Sequence, residues 1–88
     1  RYRSARIDEV SATSFARRGE LFPDYRRDNL IAGIVYDEPY TLENYRATVE
    51  AFRAEYYRLK AAIEAAATRA AVDSVVAGAQ WPDEIVEA

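Results

Sequence analysis

The sequence predicts an all-α chain: one long heptad-patterned helix, two short N-terminal helices packed against it, and a short C-terminal docking helix. Three observations carry this. Apolar side chains at Leu42, Tyr45, Val49, Phe52, Tyr56, Leu59, Ile63, Ala66 and Ala70 recur in alternating steps of three and four. That spacing, about 3.5 residues on average, places them in one coiled-coil-like stripe. The three glycines, Gly19, Gly33 and Gly78, all stand where helical patterns run out. Finally, the β-type segment Ile34-Val35-Tyr36 has no second strand candidate to pair with, so no sheet is expected within the chain.

The first short helix is predicted over residues 4–18. Ile7, Val10, Ser14 and the neighbouring Phe15 have helical spacing, Arg17 and Arg18 suit the negative end of the helix dipole, and Gly19 serves as the stop. Leu21-Phe22-Pro23 breaks the pattern. Residues 24–32 then read as a second short helix with Tyr25, Leu30 and Ile31 apolar, closed by Gly33. At the helical rise the two together span about 35 Å, against roughly 54 Å for the long helix, too little to cover its whole seam. Residues 33–40 read as an extended connector whose Ile34-Val35-Tyr36 is suited to strand addition on a partner.

The long helix is expected over about 42–77, within residues 41–78. Thr41 is a good N-cap, Glu43 suits the positive end of the dipole, and Tyr40 and Tyr45 stand where a hydrophobic staple would join. Gly78 and Trp81-Pro82 mark its end. After Ala70 the seam fails: the next core position is Asp73, and the apolar residues shift to Val72, Val75 and Val76. The last two turns therefore face a different neighbour, or the helix is kinked there. Away from the seam, Ala47, Ala51, Ala54, Ala61, Ala62 and Ala65 form a small-residue strip, which serves helix propensity or the close approach of another backbone. In the 79–88 tail Pro82 suits the first turn of a last short helix, with Trp81, Ile85 and Val86 on its apolar side.

Eighty-eight residues make one small domain, marginal unless its core is well filled or shared with a partner. Hydrophobic residues are 50% of the chain, too many for a disordered polymer. With no histidine and no cysteine, the usual general base, the zinc motifs and thiolate chemistry are missing, and no glycine-rich phosphate loop exists. The adjacent acids Asp8-Glu9, Asp37-Glu38 and Asp83-Glu84 lie at helix flanks or turns, where dipole and turn preferences already account for them. No catalytic, cofactor or metal residue is assigned. The chain is read as non-enzymatic.

No signal peptide or membrane-spanning stretch is recognisable in residues 1–88; virion or cytoplasm is the expected setting. Charge is uneven: residues 1–27 hold seven arginines against four acids, and residues 28–88 hold five basic residues against eleven acids. Such halves attract each other or neighbouring copies. Arg1, Arg3, Arg6, Arg17 and Arg18 are the candidates for contact with phosphate or with an acidic protein surface. The net charge of −3 and the interleaved acids disfavour nucleic acid.

Seven tyrosines and eleven arginines are, by contrast, residue types enriched where proteins meet. The expected function is that of a structural or assembly subunit, contacting copies of itself or larger subunits through helix–helix packing, with a tailed-phage virion as one setting. Leu42, Tyr45, Val49, Phe52, Tyr56, Leu59 and Ile63 are the expected interface, and Trp81 the anchor of the tail. The second reading is a DNA-binding regulatory adaptor or antitoxin-like dimer that uses the arginine-rich N-terminal arm.

Overall fold

Four helices and no strand make up the computed structural model, which describes residues 1–88: α1 (Tyr2–Leu21), α2 (Asp24–Ile31), α3 (Leu42–Ala65) and α4 (Arg69–Ala77). The all-α prediction therefore holds, with a long helix packed by N-terminal ones. Helices α1 and α3 run antiparallel along each other: Arg3 bonds the Ala66 carbonyl just beyond the C-terminal end of α3 and Tyr2 bonds Asp73 of α4, while Phe22 stacks edge-to-face on Tyr45 near the N-terminus of α3. The core lies between them, where Val10 of α1 meets Leu59 and Ile63 of α3 and Val72 of α4.

The first helix is longer than expected, 20 residues instead of the predicted 4–18. Its real stop is Pro23. Proline disfavours helical backbone in the residue before it, and Phe22 accordingly leaves the helix at φ −131, ψ 89, its N–H still reaching the Arg18 carbonyl. Gly19 is interior to α1 and stops nothing. Helix α2 follows the prediction within a residue. Its Arg26 guanidinium lies 3.8 Å from the ring centre of Tyr40 and 5.0 Å from that of Tyr36, tying α2 to the 33–40 connector.

The predicted single helix over 42–77 is two helices. It starts as expected, with the Thr41 hydroxyl accepting from the Asn44 N–H at 3.1 Å. It ends at Ala65, and Ala66 turns extended at φ −69, ψ 135. Thr68 then caps a new helix, its hydroxyl accepting from the Ala71 N–H at 3.1 Å. The reason is tertiary. A continuous helix turns about 100° per residue, so Val72, nine residues beyond Ile63, would point about 180° from the core stripe. Breaking the helix lets α4 fold onto α1 and α3 and bury Val72 beside Ile63.

The C-terminal docking helix does not form. Residues 79–88 form no regular element and, with a bend at Asp83-Glu84, run antiparallel to α3 from Gln80 beside Glu55 to Ala88 beside Asn44. Six or seven residues are too few to sustain a helix without packing. The backbone N–H groups of Gln80, Val86 and Ala88 are bonded instead to side chains of α3.

The molecule is elongated, 48 × 20 × 15 Å, with a radius of gyration of 15.0 Å where about 12 Å is usual for this length. Its 5752 Å² of accessible surface exceeds the roughly 5,200 Å² expected of a 10.0 kDa monomer. A thin body of this kind leaves much of each helix uncovered.

Candidate protein-interaction surface

The heptad seam is consumed within the chain. Leu59 and Ile63 are fully buried in the core, and buried Phe52 stacks nearly parallel on the indole of Trp81, centroids 5.9 Å apart. Tyr45 packs on Phe22, and Tyr56 lies half-buried against the core. Leu42 and Val49, both half-buried, complete the stripe towards the α2 end. Trp81 is an anchor, as its position beside the terminus suggested, but what it anchors is the tail to its own α3.

The tail's partners were not legible as functional residues in the sequence. Asn44, Thr48 and Glu55 recur at intervals of four and seven, so they share one stripe beside the seam, and all three are buried. Glu55 accepts from the Gln80 N–H at 2.6 Å, Thr48 from the Val86 N–H at 2.9 Å, and Asn44 from the Ala88 N–H at 2.9 Å. Asn44 also donates to the Pro39 carbonyl at 2.9 Å, so it joins connector and tail. Two hydrogen bonds of 2.7 Å from Arg58 hold the Glu55 carboxylate below its ordinary pKa of 4.5, with the Gln80 N–H adding to this and burial opposing it. The signal available was a run of buried-spaced polar residues alongside an apolar stripe.

With the core closed from inside, the uncovered surface is what remains for partners. Phe15 is 63% exposed, Tyr25 60% and Tyr57 55%, high values for residues of this size. They line two adjoining hollows that share Phe15 and Arg18 and together make a groove. Phe15 and Arg18 of α1 face Arg53 and Tyr57 of α3 in its upper part; the same two residues border its lower part, where Phe22, Tyr25 and Tyr45 line the wall. A second apolar group, Ile31, Ile34 and Val35, stands at the connector, with Val35 91% exposed.

Charge follows the same division. The Arg18 guanidinium lies over the Phe15 ring at 4.9 Å and is paired with no acid; Arg53 reaches Glu50 only at 3.7 Å, both side chains largely exposed. Arg27, at the lower end, is already held by Asp24 and Asp28. Elsewhere on the surface the docked tail turns Asp83, Glu84 and Glu87 to solvent beside Leu21.

The candidate phosphate-contacting arginines do not form one patch. Arg6 and Arg17 are eleven residues apart, about 17 Å along α1. At the α4 end Arg6 pairs with Glu9 at 2.7 Å and Asp73 at 3.5 Å, Arg3 bonds the Ala66 carbonyl, and the Tyr2 hydroxyl donates to Asp73, which raises the tyrosine's pKa. Arg1 is exposed at that same end; Arg17 and Arg18 stand at the other. No helix of the chain is long and apolar enough to cross a membrane. Comparison with protein families, with characterised proteins and with solved structures gives no match.

Proposed function

We propose that the chain is a non-enzymatic assembly subunit, a short helical strut that joins protein subunits through the aromatic groove that α1 lines with α3 and the start of α2. The observation that carries this is the contrast between a core closed within the chain and the exposed aromatic rings of Phe15, Tyr25 and Tyr57 along one groove. Burying such rings removes a large apolar area from water, and arginine beside them supplies directional contacts. Aromatic side chains and arginine are the types that dominate binding energy at protein interfaces. A standard interface takes about 800 Å² from each partner. That is roughly a seventh of this chain's 5752 Å².

The test is light scattering of the purified chain over a wide concentration range, beside the triple variant F15S/Y25S/Y57S. Assembly that the substitutions dissolve, with helical circular dichroism unchanged, supports the reading. A monomer at every concentration, or assembly indifferent to the three substitutions, overturns it.

A further inference from the structure

Resting on that assembly reading, we infer that the occupant of the groove is a second copy of this chain, presenting its acidic C-terminal strap, so that copies associate head to tail. The argument starts from charge. The groove offers Arg18 without an acidic partner and Arg53 with a loose one, both beside exposed rings. Residues 79–88 carry Asp83, Glu84 and Glu87 and no basic residue, and none of the three acids is ion-paired. The surplus of the one matches the surplus of the other.

The strap is also held in the right way to be a ligand. Its hydrogen bonds to α3 run through backbone N–H groups at Gln80, Val86 and Ala88, and Trp81 is stacked on Phe52. The acidic side chains between these points are left outward. A segment already pinned to α3 at these points loses little freedom on binding, which favours affinity. Half-buried Ile85 and Leu21 lie among these acids and give the charged face an apolar centre for the aromatic rings.

The groove and the acidic face of the strap share no lining residue, so one contact leaves a free groove on one copy and a free strap on the other. The association is heterologous and continues into a ring or filament. A symmetric dimer, in which one patch meets its own copy, has no such ends.

The experiment uses two neutralising variants of the full chain, R18Q/R53Q and D83N/E84N. None of these four side chains bonds the core or the strap's backbone, so both variants keep the fold. Each alone should associate at least about tenfold more weakly than the parent chain by analytical ultracentrifugation. Mixed, they retain one intact groove and one intact strap, and should form a 1:1 pair that grows no further. If F15S/Y25S/Y57S dissolves the assembly but D83N/E84N leaves it unchanged, the groove's role stands and the second-copy strap is overturned as its occupant. Failure of the mixture to pair also overturns the head-to-tail arrangement.

Discussion

Thr48 and Val86 hold each other twice: the Val86 N–H donates to the Thr48 hydroxyl at 2.9 Å, and that hydroxyl donates back to the Val86 carbonyl at 3.4 Å. Threonine and valine have similar shape and similar helix propensity, so Thr48→Val isolates this pair from other effects. It strands two backbone groups at a site where Thr48 itself is 0% exposed. The expected loss is about 1–3 kcal/mol. Urea unfolding measures it, and amide hydrogen exchange at Val86 should accelerate more than exchange in the middle of α1. Equal acceleration everywhere would mean that the strap is not a separately held element.

Acid should loosen the strap. The folded-state pKa of Glu55 lies below its unfolded value, so the unfolded chain binds the proton more readily. Stability from this group is fully present above pH 4.5 and is lost as pH falls through the lowered folded value. Trp81 is the single tryptophan, and its stack on Phe52 reports the docked state by fluorescence. Its emission should shift on acidification below pH 4.5 in the parent chain. In Glu55→Gln the shift should shrink, because the titrating group has gone while most of the shape remains. An undiminished shift would assign the transition to other carboxylates.

The fold was legible where local chemistry and tertiary packing agree. Thr41 reads as an N-cap and is one; the stripe through Phe52, Leu59 and Ile63 reads as an apolar seam and is buried, but within the chain and not against the partner expected of it. The break after Ala65 was hidden because the alanines around it favour helix; only the failure of the seam beyond it, Asp73 at a core position and the valines displaced from the stripe, pointed to a kink. The tail misled for a related reason. Pro82 is a good first-turn residue, yet the backbone bonds that a helix would use are taken by Asn44, Thr48 and Glu55, residues 25 to 44 positions away in sequence. The groove was legible only in composition: tyrosine and arginine were abundant, and which of them remain uncovered depends on how α1 lies on α3.

Gly19 offers a stabilising substitution. It lies inside α1, has no positive φ, and a Cβ built there meets nothing within 4 Å. Gly19→Ala should therefore gain about 0.5–1 kcal/mol by restricting the unfolded chain and favouring helix. In a domain of this size that amounts to a rise in Tm of about 2–8 °C, measurable by thermal circular dichroism. A fall in Tm would show that the C-terminal turn of α1 is not helical in solution, and would move the stop back to the glycine.

Burial separates the residues that hold this chain together from those available to others, and the two sets should differ sharply in what substitution costs the fold. Leu59 is 0% exposed and sits between Val10, Ile63 and Val72. Leu59→Ala removes apolar burial and leaves a cavity, at an expected cost of about 2–5 kcal/mol, a large part of the stability of a small domain. Phe15 and Tyr57 touch the groove but close no core, so F15S/Y57S should change unfolding free energy by no more than about 0.5 kcal/mol each. The useful measurement is urea unfolding of both variants at a concentration where the parent chain is monomeric. If Phe15 and Tyr57 proved as costly to replace as Leu59, their rings would be part of the core, and the groove would be internal packing. If they are nearly free to replace, selection for folding does not explain large aromatic rings at these positions, and contact with another molecule does.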